Sequence, residues 1–376
     1  MNKKYFKWLF FLIIFFSFEF TCAENSFNYE GNKINRVGFI RIPYSYVLGI
    51  AFTDLINVKS EFKNTQKQLH FEISGIRKNN FDEKCFLPFI TEMKNLDIVG
   101  SVECVQNSKN ENEIFLNINF ADKNLFLRWY KVPNNNVLRV EIFTEESLEK
   151  LKYDVSNNLG NQKFKKLLID PGHGGNLPGA CYFDVKEKNL NLAIAQDLQE
   201  LLELNGYGAI MTRSSDVDVS LPARVELAQK VMADCFISIH CNASGELNPK
   251  VKGLEVYYAE VPKISQLNSF QGGYQFLGMS QSLDVLNMID KHTQNKVERS
   301  KSLADKVRVS ILHTLKENGF NTLDRGIKNS PLSVLINNSV PAILIECGYM
   351  SCKEELDNLV NRVYQQKIAE GIAEAL

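Results

Sequence analysis

The sequence predicts an α/β protein: a twisted, mostly parallel sheet with helices on both faces, preceded by a smaller β-rich N-terminal domain. Three observations carry this expectation. From residue 163 onward, apolar β-branched runs alternate with helical patterns, as in sheets built from parallel units. Before residue 150 the pattern is mostly alternation of apolar and polar residues, the mark of antiparallel strands with one buried face. At 376 residues the chain is long enough for two domains and a sizeable core.

In order, residues 1–23 come first. Met1-Asn2-Lys3-Lys4 is a short basic region, an apolar run extends from Trp8 to Phe18, and Thr21-Cys22-Ala23 offers small residues for a peptidase. This reads as a cleaved secretory signal that leaves no membrane span behind. The expected destination is a periplasm, or the extracellular face of the cell if there is no outer membrane. A lipoprotein reading through Cys22 is weaker, because Glu19-Phe20-Thr21 is a poor match to what lipidation requires. Of eight cysteines, seven remain after cleavage, and Cys85 and Cys104 could pair in an oxidising compartment.

Residues 24–150 form the expected β-rich domain. Ile114, Leu116, Ile118 and Phe120 alternate with Asn117 and Asn119. A turn at Asp122-Lys123-Asn124 leads to a second run over 125–130. Pro133-Asn134-Asn135-Asn136 makes another turn, and Leu138, Val140 and Ile142 alternate with Arg139 and Glu141. Residues 151–162 read as a polar linker.

Residues 163–376 carry strands at 166–170, 207–212, 235–240, 254–258 and 342–347, with helices at 187–204, about 221–232 and about 300–317. In the first helix Leu190, Ile194, Leu198 and Leu201 form an apolar stripe, and Gly206 follows as a left-handed cap. A C-terminal helix places Leu356, Leu359, Val360 and Val363 on one side. Cys235, Cys241 and Cys347 sit on or beside central strands and read as small apolar residues. No CxxC pattern suggests a structural zinc cluster. Between strand 254–258 and the helix near residue 300 lies a long insertion, 259–299. Phe276, Met279, Leu283, Leu286 and Ile289 suggest an amphipathic helix in its second half. A structureless loop of that length would be unusual unless functional.

With 43 basic and 44 acidic residues the net charge is −1, which argues against a nucleic-acid binder or a polybasic membrane patch. The chemistry lies instead at three strand ends. Leu167-Leu168-Ile169-Asp170-Pro171-Gly172-His173-Gly174-Gly175 runs an apolar strand into a histidine. Ala233-Asp234-Cys235-Phe236-Ile237-Ser238-Ile239-His240-Cys241-Asn242-Ala243 does the same, and Pro341-Ala342-Ile343-Leu344-Ile345-Glu346-Cys347-Gly348-Tyr349 ends on a glutamate. Open α/β sheets place their ligand sites at that edge. The chain has five histidines, and His70, His292 and His313 lack this setting. A catalytic zinc takes three protein ligands and keeps one position for water. Glu187, in the first turn of helix 187–204 and on its apolar stripe, is the candidate third ligand, because an inward carboxylate needs a cation. An ordinary first-turn glutamate favoured by the helix dipole explains it equally well.

In order along the chain, Asp170 to Gly175, Lys186-Glu187-Lys188, Ser238 to Ala243 and Glu346 to Tyr349 resemble the zinc-dependent N-acetylmuramoyl-L-alanine amidases of the bacterial cell wall, family 3, and among them the cell-division amidases. The resemblance covers roughly residues 163–376, including Met211-Thr212-Arg213, Ser220 to Arg224, Gly253 to Tyr258 and Asp324-Arg325-Gly326-Ile327-Lys328. It implies one zinc per catalytic domain, held by His173, Glu187 and His240, with Glu346 as catalytic glutamate. The implied reaction is hydrolysis of the amide joining the lactyl group of N-acetylmuramic acid to L-alanine of the stem peptide, in wall remodelling or daughter-cell separation. Cys241 stands where the family usually has Ala, and Cys347 where a small or apolar residue is common; neither replaces a ligand. Asp170 and Asn242 are expected either to hold the histidine rings in orientation or to stabilise their turns.

The resemblance further implies a wall-targeting role for the β-rich domain, although packing alone accounts for its pattern. It also implies that insertion 259–299 occludes the site, with Glu260, or next Glu298, filling the open zinc position until a protein activator displaces it. An ordinary surface excursion is the competing reading. The expected partner is peptidoglycan, with no nucleic acid, and the expected state is a monomer. The alternative functions are a zinc peptidase or amidohydrolase acting on another wall bond, and a non-catalytic wall-binding protein.

Overall fold

Antiparallel strands fill the first part of the chain: β1 (Ile34–Ile42), β2 (Ser45–Phe52), β3 (Asn57–Lys63), β4 (Gln68–Ser74), β5 (Val99–Gln106), β6 (Glu113–Phe120), β7 (Leu125–Lys131) and β8 (Val137–Thr144), with helices α1 (Leu87–Asn95) and α2 (Glu145–Ser156). They are seen in a computed structural model that describes residues 34–53, 56–76, 83–133, 135–156 and 163–376. The expected signal segment 1–23 and residues 157–162 of the expected linker lie outside the described residues. The remainder runs β9 (Lys166–Pro171), β10 (Cys181–Tyr182), β11 (Val185–Lys186), α3 (Glu187–Leu204), β12 (Gly208–Met211), α4 (Leu221–Lys230), β13 (Cys235–Asn242), β14 (Leu254–Tyr258), β15 (Gly273–Leu277), α5 (Leu283–Glu317), β16 (Asp324–Asn329), α6 (Ser333–Ile336), β17 (Ala342–Tyr349), α7 (Lys353–Leu359) and α8 (Arg362–Glu374). Among the described residues, no helix is long and apolar enough to cross a membrane.

The described residues divide into two compact units, one holding those of 163–260 and 294–376, the other those of 34–156 and 261–293. The latter contains two sheets, with strand orders β1-β2-β8-β7-β15 and β3-β4-β6-β5. Leu48 and Ile50 of β2, Leu69 and Phe71 of β4, Leu116 and Ile118 of β6 and Leu127 of β7 are buried in one core shared by both sheets. Cys104 lies in that core and Cys85 packs against it. In β6 burial alternates residue by residue as its sequence does. In β7, Leu125 to Tyr130 are all buried, because both faces of the strand are covered.

Two expectations need correcting here. The amphipathic helix read through the insertion begins only at Leu283, where one long helix replaces the expected start near residue 300. Phe276 instead belongs to β15, which pairs antiparallel with β7 and sets Phe276 opposite Phe126. The residues expected to open a polar linker, 151–156, continue α2, whose Leu148 and Leu151 are buried. A Leu stripe of one turn inside a polar segment gives too weak a periodicity to separate helix from loop.

The other unit is the expected α/β layer structure. Its sheet has the order β12-β9-β13-β17-β14-β16. Every neighbouring pair is parallel except β14 with β17. The central strands read as continuous apolar runs because both faces are covered. On one face Ile169, Ile237, Ile239 and Ile345 share a core with Ile194 and Leu198 of α3, Val307 and Ile311 of α5, and Ile368 of α8. On the other, Leu168, Phe236 and Leu344 are buried, and α6 packs on β17. Ser220 caps α4 by accepting from the Ala223 N–H at 3.4 Å, with Pro222 in its first turn. This sheet brings the carboxyl ends of β9, β13 and β17 side by side: Pro171 is level with Ile239, and His240 with Glu346.

Candidate metal centre

Leaving β9, the chain turns sharply through Gly172 and His173, and His173 takes φ +60°. A non-glycine residue in the left-handed region persists only where its surroundings over-determine it, and here they do. The Gly172 N–H donates to Ile239 O at 3.0 Å. Arg213 donates to the carbonyls of Pro171 (3.0 Å) and Gly172 (2.8 Å), and Arg224 to those of Pro171 (2.9 Å) and His173 (2.8 Å). Gly172 is required for a second reason: a Cβ at this position would fall on the imidazole of His240. The glycine beside His173 therefore makes room for the other histidine.

His173, Glu187 and His240 converge so that one potential ligand atom from each lies within 4.8 Å of the others. The imidazoles are nearly perpendicular, with centroids 5.0 Å apart. Glu187, 4% exposed, reaches His173 Nε2 with Oε2 at 3.1 Å and His240 Nδ1 with Oε1 at 3.0 Å. Its carboxylate also accepts from the N–H groups of Ala180 (2.9 Å) and Cys241 (3.2 Å) and from Asn191 Nδ2 (3.2 Å). Burial acts to raise its carboxyl, but the two imidazoles override this and hold it well below the usual range. Burial depresses His240, against the pull of Glu187, so its ring favours the neutral form that binds metals. Two imidazoles and an inward carboxylate, on loop, strand and helix of one fold, are a donor set that fits a divalent cation.

Glu346 lies beside this cradle, level with His240 on the neighbouring strand. Its Oε2 is buried and has no hydrogen-bond partner. Burial, then Glu187 and Glu255, push its carboxyl well above the ordinary range. Its neighbour Cys347 and the residue after His240, Cys241, are buried in the core on the opposite face of the sheet, as alternation requires. The Cys347 hydrogen bond and burial raise the Cys241 thiol.

Other candidates do different work. Asp170 hydrogen-bonds Arg224 (2.5 Å), Thr212 (2.7 Å) and Ser238 (2.8 Å). Asn242 donates to Glu255 at 2.8 Å and accepts from the Ala243 N–H at 2.7 Å. Neither carboxyl nor amide bonds a histidine ring; Asp170 fixes the loop through Arg224. Glu260 is exposed and accepts from Tyr258 OH (3.0 Å) and Asn329 Nδ2 (3.1 Å). Glu298 is exposed on α5. Among the described residues, neither joins the cluster of His173, Glu187 and His240. The roles of Arg213, Arg224 and Glu255 escaped the sequence reading of single sites, although all three lie in stretches that carry the family resemblance.

The Asp170–Arg224 pair yields a stability prediction. Both side chains are buried, at 1% and 3% exposure. Burial acts to raise the Asp170 carboxyl, but Arg224, Thr212 and Ser238 hold it below the usual range. A depressed carboxyl stabilises the fold above its unfolded value, near pH 4, and that contribution fades as pH falls through the folded value. Arg224→Met should cost about 3–5 kcal/mol at pH 7 by leaving Asp170 buried without its cation. The loss should shrink toward pH 4, where Asp170 can protonate. Denaturant unfolding at both pH values tests this, and equal losses would contradict it.

Comparison with known proteins places this geometry in context. The family model for N-acetylmuramoyl-L-alanine amidase matches residues 167–376. N-acetylmuramoyl-L-alanine amidase AmiC of Escherichia coli O6:H1 is 32% identical over 217 residues, covering 55% of this chain and 50% of that protein. AmiA of Escherichia coli K12, of the same description, is 31% identical over 238 residues, covering 59% of this chain and 80% of that one. The solved amidase AmiC2 of Nostoc punctiforme is 32% identical, covering 56% of this chain and 93% of that chain with a TM-score of 0.43. The chain thus spans half the length of the first of these relatives.

Proposed function

Since the chain belongs to the N-acetylmuramoyl-L-alanine amidase family, we propose that it hydrolyses the amide between the lactyl group of N-acetylmuramic acid and L-alanine of peptidoglycan stem peptides. In this reading His173, Glu187 and His240 hold one zinc ion. When bound, zinc supplies Lewis acidity, which activates water at neutral pH and polarises an amide carbonyl. Glu346 takes a proton from the attacking water and returns it to the amine nitrogen as the C–N bond breaks, while the hydroxyl stays on the carbonyl carbon. The single observation that carries the proposal is the placing of Glu346. It stands level with His240, with one carboxylate oxygen buried and unpartnered.

The neighbouring groups fit these roles. The neutral state favoured by His240 suits a ligand, and the donors around Glu187 fix its carboxylate toward both rings. We further propose that the protein acts on the wall after export, to a periplasm or the cell surface, in wall remodelling or daughter-cell separation.

Digestion of purified peptidoglycan by the mature protein tests the function. The expected products are bare glycan strands and intact stem peptides with a free L-alanine amine, identified by mass. A strong chelator should abolish the reaction and added zinc restore it. Trimmed peptides still attached to glycan would favour a peptidase instead.

A further inference from the structure

Glu255 of β14 stands opposite Glu346 in the antiparallel pairing of β14 with β17, and its side chain is fully buried. Its Oε1 accepts from Asn242 Nδ2 (2.8 Å), Tyr257 OH (2.7 Å) and Tyr349 OH (3.0 Å). Its Oε2 accepts from Arg325 Nε (2.9 Å) and from Lys328 Nζ. A carboxylate offers about four acceptor sites, and a single cation would neutralise it. Five donors, two of them cationic, exceed what burying one glutamate demands. Glu255, Arg325 and Lys328 by themselves sum to one positive charge, and the side chains of Arg325 and Lys328 are 29% and 35% exposed.

The backbone of β16 is shaped to create this surplus. Residues three apart on a regular strand face opposite sides. Leu254 is level with Asp324, yet Val256 is level with Ile327, so β16 carries one extra residue. Gly326 sits in this bulge at φ +79°, a conformation that favours glycine. The bulge turns Arg325 and Lys328 to the same carboxylate. Arg325 is further fixed by donating from Nη1 to Lys252 O at 3.3 Å. Arg325 lies over the ring of Tyr349 at 5.0 Å and Lys328 over that of Tyr257 at 5.7 Å. Two rigidly presented, partly exposed cations thus sit on the strand next to β14, whose Glu255 faces Glu346 across the ladder.

Building on the amidase reading, we propose that Arg325 and Lys328, anchored by Glu255, form a docking point for a free carboxylate on the peptide side of the substrate. Its effect is to set the peptide in register with Glu346, so it determines specificity and takes no part in bond breaking.

The test uses synthetic muramoyl peptides in which each peptide carboxylate is replaced in turn by a carboxamide. One replacement should lower kcat/KM of the wild-type protein about 10-fold or more, chiefly through KM, as expected for losing a charge-assisted contact. Lys328→Gln should lose most of that discrimination, and Lys328→Arg should keep it. The wild-type comparison does not depend on any variant folding. Equal cleavage of all the peptides by the wild-type protein, or undiminished discrimination by Lys328→Gln, overturns the docking point and leaves the amidase reading intact. Failure to cleave any of them overturns both.

Discussion

Glu346→Gln should lower peptidoglycan hydrolysis by about 10²–10⁴-fold while zinc content stays at the wild-type level. Glutamine keeps the size of the side chain but neither takes a proton from water nor hands one to the leaving amine. Glu346 is not one of the three residues of the cradle, so the substitution separates chemistry from metal holding. It should also affect the metal-free protein in a way that depends on pH. Burial, Glu187 and Glu255 raise the Glu346 carboxyl. A carboxyl with a raised folded value contributes fully below its unfolded value, near pH 4, and that contribution is lost as pH rises through the folded value. At pH 7 the chelated Glu346→Gln protein should therefore be at least as stable as the chelated wild type, and any advantage should vanish toward pH 4. Turnover, elemental analysis and denaturant unfolding check the three parts. Retention of more than about a tenth of the activity, against the loss usual for a removed general base, would count against Glu346 as the base.

A similar loss should follow from a change of one methyl group, Gly172→Ala. The added Cβ would occupy the space of the His240 imidazole. The loop around Gly172 has little freedom to yield, because its N–H is bound to Ile239 O and its carbonyl to Arg213. The ring must move, and displacing a ligand by about 1 Å costs on the order of 10²-fold in rate. Zinc retention should weaken by about 10–100-fold, the loss typical when the support of a ligand is disturbed. Competition with a chelator of known affinity measures the second effect, and excess zinc should restore part of the activity. Wild-type affinity in Gly172→Ala would show that the pocket tolerates the methyl and that the contact is unimportant.

How far the sequence discloses this site depends on whether the signal is local. His173, His240 and Glu346 each end an apolar run, and strand ends of a parallel sheet meet at one edge, so their convergence could be anticipated. Glu187 is ambiguous by itself because first-turn glutamates are common; its contacts with both rings come only from packing α3 against the sheet. The work of Arg213 and Arg224 is to donate to loop carbonyls, and backbone partners leave no trace in side-chain patterns. The Glu255 cluster depends on a bulge in β16, which changes the facing of Arg325 relative to Lys328 in a way that period-two reasoning reverses. Phe276 was legible as apolar and unreadable as a strand, since its partner, β7, lies far away in sequence.

The pairing of β15 with β7 also has a consequence for how the protein is made. Lys131 and Gly273, the near ends of the two strands, are separated by 141 residues of chain. During synthesis, the flank of β7 must wait, with its amide and carbonyl groups unsealed, until that later stretch has emerged from the ribosome. Exposed strand flanks invite mispairing with other chains, and closing so long a loop carries an entropic cost that delays the step. A chaperone that shields Leu125–Lys131 during this interval would raise the yield of native protein, and a truncation before Gly273 would leave that flank open for good.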